Sequence, residues 1–433
     1  MASIHPFRAW RYDPAKVADL SRVVAQPYDK IDEPLRLTYL ARHPRNAVRL
    51  IQSREDPVRP GVTRYRIAAE TFAAWRADGT FTQHPDAAVY PSAVQYKDAA
   101  LRERTRRALT VLLSLDAPGA GVRAHERTLE GPKADRLNLL REMRAHAGQI
   151  FMLYDDPECR VEAALEGRTE VPPLLSAQDD DGCSHRVWAV SEPRIIDAIR
   201  DALRDRMLMI ADGHHRYETA LAYRSEQRAT GRSEGPHDRV LVTLVNMKDE
   251  GLTIFPTHRL VHSVKGWDAS ALRRRLAELF DMREAPADAD AALSTLPKGK
   301  PGFVLALPSG QGAALWTCSL KAGVDPVARI AGDSPAAIKR LDVSVLHQMV
   351  LEPLLGIDAG ALAAESNVHY RRHAAQTLRE VAGGKVQGAF LLRPTPIEAV
   401  RDCALAGARM PQKSTDFYPK LLSGLLVYSL DAP

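Results

Sequence analysis

The chain has 433 residues, 45% of them hydrophobic and 26% charged, an ordinary globular balance and more than one hydrophobic core usually supports, so two or three subdomains are expected. The formal charge of +5 comes from arginines spread along the whole length without a clustered basic tail, which speaks against a nucleic-acid binder and for anionic small molecules. Cys159, Cys183, Cys318 and Cys403 lie far apart with no CxxC pair, excluding a zinc knuckle or disulfide framework, and no apolar run is long enough for a bilayer span or a signal core; a soluble cytoplasmic protein is expected.

Apolar periodicity predicts helices over 14–24, 32–42 and 63–77, the last closed by Asp78-Gly79, and then strands over 88–96 and 107–115. A helix over 134–147 puts Leu137, Leu140 and Met143 on one face, and a strand follows at 149–154. Between Asp155 and Asp181 the chain turns acidic and proline-rich, which reads as a surface connection. Next come a strand (184–190), a helix (193–203), a strand (207–211), a polar junction, a helix (218–228) and strands over 239–247 and 252–261. A helix over 268–280 precedes two strands, 302–307 and 313–320, joined by a glycine-rich turn. Helices over 343–355, 372–382 and 396–406 and a strand over 389–392 complete an α+β pattern in three parts: 1–155, 156–265 and 266–433.

The polar junction is Asp212-Gly213-His214-His215-Arg216-Tyr217. A helix start leaves backbone N–H groups unpaired and carries partial positive charge, so it attracts anions, and two imidazoles and a guanidinium add donors there. Asp212 is suited to cap the helix, and Gly213 lets backbone approach a ligand closely. An ordinary cap needs one polar side chain; this convergence of titratable groups points to a phosphate site.

Three other constellations could carry chemistry. His125-Glu126 precedes Lys133 and Arg136 near a second helix start, offering a proton acceptor or metal ligand beside two phosphate-binding cations. Lys413-Ser414-Thr415 is like the end of a P-loop but lacks its glycines, leaving a polar loop of possible ligand contacts. Asn246 and His258 sit on strand candidates and are carried, with Arg393, as substrate contacts, although a histidine in an apolar strand is more often a core residue.

Phe7-Arg8, Gln26-Pro27-Tyr28-Asp29, His125-Glu126 through Arg136, Ala211 through Leu221, Pro256-Thr257-His258-Arg259 and Arg409 through Thr415 together resemble the bacterial and archaeal family named domain of unknown function 1015. The central block is also similar to the phosphate-binding turn of the ParB and sulfiredoxin superfamily, and to the corresponding segment of free-serine kinases, which phosphorylate serine with ADP or ATP. That resemblance implies a ParB/sulfiredoxin-like unit around the Asp212 junction, within a multi-subdomain α+β fold. The serine kinases' upstream carboxylate has no fixed counterpart here; Glu170, Asp179 to Asp181 and Glu126 are the candidates.

The expected function is a nucleotide-dependent phosphotransferase acting on the hydroxyl of a small metabolite, with serine the first candidate, and with ATP or ADP and Mg²⁺ as cofactors. Asp212, His214, His215 and Glu126 are the candidate catalytic residues, with Asp212 also the metal ligand. Gly213, Arg216, Lys133, Arg136, Lys413, Ser414 and Thr415 bind phosphate or nucleotide, and His125, Asn246, His258 and Arg393 contact substrate. A metal-dependent hydrolase is the first alternative, since His125, Glu126, Asp212, His214 and His258 could supply N/O ligands. A nucleotide-sensing or DNA-binding ParB-like module is the second; neither nucleic acid nor a membrane is an expected partner.

Overall fold

The computed structural model describes residues 3–55, 58–98, 101–115, 121–124, 130–310, 312–411 and 413–431. Their contacts group into two units. The described parts of 1–124, 128–253 and 419–433 form the first, and those of 254–418 the second. The chain passes into the second unit after residue 253 and returns to the first after residue 418.

Unit 1 is built on a nine-stranded sheet. Its strands are β1 (Ile4–His5), β2 (Tyr90–Lys97), β3 (Glu103–Ser114), β4 (Val122–Ala124), β5 (Ile150–Tyr154), β6 (Leu175–Gln178), β7 (Ser184–Val187), β8 (Leu208–Asp212) and β9 (Arg239–Asn246). They lie in the order β4-β8-β5-β9-β3-β2-β7-β6, with β1 also on β3. The β4–β8 and β5–β9 pairs are parallel and the other pairs antiparallel. The helices that matter most are α1 (Arg64–Ala77), α2 (Glu130–Met143), α3 (Pro193–Leu203) and α4 (His214–Ala229). The central strands are near-continuous apolar runs because both faces are covered. Leu109, Val111, Leu113, Met152, Val242 and Ile210 meet Ile196, Ile199 and Leu203 of α3 in one cluster. Leu112 and Leu241 meet Leu140 of α2, Tyr223 of α4 and Leu422, Leu425 and Leu426 of the returning C-terminal stretch in another.

Local chemistry explains where the elements depart from expectation. The helix expected over 14–24 shrinks to a 3-10 turn at Leu20–Arg22, because Asp13 and Asp19 accept from the backbone N–H groups of Ala15 and Ser21 and favour turns. The strand expected over 252–261 is interrupted at Pro256, which has no N–H to give, leaving Thr253–Phe255 and His258–Val261. The acidic stretch read as a surface connection contains the short helix Arg160–Ala164 and the edge strand β6, whose Leu175 and Ala177 are buried.

Unit 2 holds a six-stranded antiparallel sheet of β10 (His258–Val261), β11 (Phe280–Glu284), β12 (Gly302–Ser309), β13 (Gly312–Leu320), β14 (Val368–Arg371) and β15 (Gly388–Leu391), in the order β11-β13-β12-β15-β10-β14. Helices α5 (Ala269–Leu279), α6 (Ala374–Ala382) and α7 (Ile397–Leu405) belong to it. The segment expected as one helix over 343–355 passes through a π-helical stretch at His347–Leu351.

Candidate active site

The junction after β8 is a tight elbow. Gly213 has φ +94°, a left-handed conformation costly for any other residue, and it occupies the N-cap of α4 without a side chain to cap it. Asp212 is therefore not the cap that was expected; it is the last residue of β8. A bulge decides where it points. Leu208, Met209 and Ile210 pair in step with Tyr154, Leu153 and Met152, but the register then slips and Asp212 pairs with Phe151. Without that extra residue Asp212 would face the opposite side of the sheet, so the bulge re-aims the carboxylate. It joins the row Thr110, Thr243, Phe151 across β3, β9 and β5, where the two threonine hydroxyls bond each other at 2.8 Å.

Cations converge on this carboxylate. Arg216 Nη2 donates to Asp212 Oδ2 at 3.0 Å, and its Nη1 donates to the carbonyl of Gln149. Burial alone would push the Asp212 carboxyl up; Lys420, Arg216 and Lys30 outweigh it and hold the group down at about 2. Lys420 is buried on the segment returning from unit 2. Fully buried Arg106 donates to the carbonyl of Pro419 just before it and lies 4.8 Å from the Phe151 ring centroid. Two backbone hydrogen bonds between Ala25 and Ser423 then tie the return segment to the turn Tyr28–Lys30, carrying Tyr28, Asp29 and Lys30 to the elbow. Burial pushes the Tyr28 phenol up to about 12, so it stays a neutral donor. Arg136 stacks over its ring at 4.2 Å.

Helix α2 runs parallel to α4. Lys133 pairs with Glu218 at 2.7 Å, and about two turns further along both helices Arg141 pairs with Glu226 at 2.6 Å. His215 is held below the usual imidazole range mainly by burial, against the pull of Glu218 and Asp29, so it is neutral at pH 7. Asp212, Gly213, His214, His215, Lys133 and Arg136 all lie in unit 1. Arg216 and Arg136 are anchored rather than presented: the first holds Asp212 and Gln149, the second Asp135 and the Ile51 carbonyl. Tyr28, Lys30 and Lys420 were missed as site residues, since nothing local in the sequence links them to Asp212. Beside the elbow a cleft of ≈ 540 Å³, solvent included, is lined by Tyr28, Leu139, Met143, Gly148, Arg216 and Thr219. The Thr219 hydroxyl is buried there with no hydrogen-bond partner among the described residues. Thr219→Val is expected to leave stability unchanged or raise it by about 1 kcal/mol in urea unfolding, since an isosteric methyl needs no partner; a clear loss would mean the hydroxyl is hydrogen-bonded in solution.

The remaining candidates lie elsewhere. His125 and Glu126 fall outside the described residues. Asn246 is buried at the far end of β9, paired with Tyr154 three residues along β5 from the Asp212 level, or roughly 10 Å away along the strand. Its side chain is engaged with the backbone of Asp156. Asp179 accepts from His185 and Cys183 in the β6–β7 hairpin, Asp180 pairs with Arg42, and Glu170 is exposed. Lys413, Ser414, Thr415, His258 and Arg393 belong to unit 2. His258, pushed down to about 3 by burial and neighbouring Arg259, accepts from the Leu392 N–H as a neutral core residue. Arg393 grips Asp342 at 2.8 and 2.9 Å. Among the described residues no three His, Cys, Asp or Glu side chains cluster to hold a metal ion, and no helix is long and apolar enough to cross a membrane.

A family model described as protein of unknown function DUF1015 matches residues 4–344. The chain belongs to the DUF1015 family. Lys420 lies beyond the stretch that the DUF1015 model matches. No curated protein matches the chain. Among solved structures, a free serine kinase in complex with AMP is similar at 13% identity and a TM-score of 0.38, covering 74% of this chain and 91% of that one. A conserved hypothetical protein from Pyrococcus furiosus is similar at 14% identity and 0.36, covering 74% and 95%. SbnI with a C-terminal truncation from Staphylococcus aureus is similar at 12% and 0.35, covering 74% and 87%. Likeness at this level carries no functional argument, which the site must supply.

Proposed function

We propose that unit 1 is a phosphotransferase moving a phosphoryl group from ATP or ADP to the hydroxyl of a small metabolite. The observation that carries this reading is the elbow: a carboxylate kept ionised by three cations, aimed by a bulge beside an N-terminal helix end that carries no side-chain cap. The helix end, His215 and the ammonium groups of Lys30 and Lys420 suit the phosphates of a nucleotide. In the reaction the acceptor oxygen forms a bond to the terminal phosphorus as the bond to the leaving nucleotide oxygen breaks. A group with so low a pKa is a weak base, so Asp212 orients the acceptor hydroxyl and takes its proton late, as a loose phosphoryl-transfer transition state permits.

Asp212 does not by itself suit Mg²⁺. One of its oxygens is held by Arg216, and the charges that act on it most strongly are cations, whereas magnesium asks for additional oxygen donors. No step is assigned to the metal. The resemblance of the Asp212 block to free-serine kinases makes serine the first acceptor to try. The purified protein with magnesium and ATP or ADP is expected to convert serine, or another small alcohol from a broad panel, into its phosphate ester, read by ³¹P NMR. His215→Ala is expected to lower kcat by roughly 100-fold, the size of losing one transition-state donor. No transfer to any acceptor would refute the reading.

A further inference from the structure

The cleft beside the elbow has a lining that binding of phosphate does not use. The last turn of α2 gives it Leu139, Leu140 and Met143, all buried, and Ile51, Ala145 and Ala147 continue the apolar surface. Its charged side chains are Arg136 and Arg216, and each already holds a carboxylate, that of Asp135 or of Asp212. His146, pushed down to about 4 by burial, is neutral at pH 7. The hydroxyl of Thr219, a residue 4% exposed, has no hydrogen-bond partner among the described residues. Such a group costs free energy until a molecule entering the cleft engages it.

The cleft begins one guanidinium away from Asp212. Arg216 Nη2 bonds the Asp212 carboxylate at 3.0 Å, and Nη1 of the same group would stand 3.5 Å from the first carbon of a side chain at Gly148, which lines the cleft and has none. In ATP or ADP the base is separated from the transferred phosphorus by the ribose and at least one further phosphate, whereas the carbon skeleton of an alcohol begins one bond from its hydroxyl. A cleft this close to Asp212 therefore fits the skeleton of the acceptor. Thr219 lies six residues along α4 from Gly213, roughly 9 Å by the rise of the helix and about the reach of an extended six-carbon chain. Serine is a poor occupant, because it would bring an ammonium and a carboxylate to apolar walls whose guanidiniums are already matched.

We propose, resting on the phosphotransferase reading of unit 1, that this cleft seats the body of the acceptor, an uncharged alcohol with an apolar skeleton of about six carbons and a second polar group at the Thr219 end. Methionine-methyl NMR on the full-length protein tests it with hexane-1,6-diol as the probe, the Met143 signal being assigned by its loss in Met143→Leu. The diol is expected to shift the Met143 methyl saturably, and equal concentrations of serine or glycerol to leave it in place. Thr219→Ser keeps the hydroxyl and is expected to keep the affinity. Thr219→Val is expected to raise Kd roughly tenfold, the size of one hydrogen bond to an otherwise unpaired group. No saturable shift with the diol, or equal affinity in Thr219→Val, overturns the proposal. So does a shift with adenosine that the diol cannot compete away, since the cleft would then hold the base. Phosphoryl transfer to serine but not to the diol overturns it too and leaves the reading of unit 1 standing. A bound diol with no transfer to any alcohol refutes that reading instead and leaves the cleft an alcohol-binding site.

Discussion

Asp212→Asn is expected to lower phosphoryl transfer by at least about 100-fold, the usual size of a positioned acid or base, and to destabilise the fold by about 3 kcal/mol. Two parts of the effect have separate causes. The amide cannot accept the acceptor's proton, and it leaves the Arg216 and Lys420 cations, 13% and 9% exposed, without their carboxylate. Pairing it with Lys420→Met should restore most of the stability in urea unfolding and none of the rate. Full activity in Asp212→Asn would remove the carboxylate from the mechanism. The same residue sets a pH dependence. Its pKa of about 2 in the fold lies below the unfolded value of about 3.9, so its stabilisation is complete above about pH 5 and is lost as pH falls toward 2. Acid titration of wild type and Asp212→Asn should therefore converge at low pH; parallel curves down to pH 2 would contradict the depressed pKa.

Gly213→Ala should be nearly as damaging, for a geometric reason. A φ of +94° costs an L side chain about 1–2 kcal/mol, and the new Cβ would sit 3.0 Å from the Arg216 guanidinium. Arg216 would have to leave Asp212 or Gln149, or the elbow would have to open. Either way the helix end and the carboxylate lose their mutual alignment, and a misplacement of about 1 Å can cost about 100-fold in rate. The expected result is a loss of 2–3 kcal/mol in urea unfolding, on the order of the strain plus one lost ion pair, with kcat falling more than KM rises. A variant with wild-type stability would mean that the elbow tolerates a right-handed backbone.

The legible parts of this fold are those where local physics and burial agree. Helices ending in identifiable caps, such as the one opening at Asp32 and α1 opening at Thr63, were read within a residue or two because Asp32 and Thr63 accept from the third residue onward. Buried central strands β5, β8 and β9 were equally plain, being nearly continuous apolar runs. The edge strand β6 was hidden: only Leu175 and Ala177 are buried, and its neighbours look like a solvated loop. In the same way, the elbow showed itself through its clustered polar residues, while its electrostatic partners did not.

What the order of residues determined alone is the elbow's identity: an apolar strand, a glycine free to take positive φ, and a run of imidazoles opening a helix. Periodicity and backbone sterics act over a few residues, so they leave their mark in the chain itself. The tertiary structure decided the rest. A one-residue bulge chose the face on which Asp212 stands, and long-range pairing of Ala25 with Ser423 and of Arg106 with Pro419 brought Lys30 and Lys420 to it. Electrostatics depends on distance through space, and two lysines 390 positions apart in the numbering carry no local sign that they share one carboxylate.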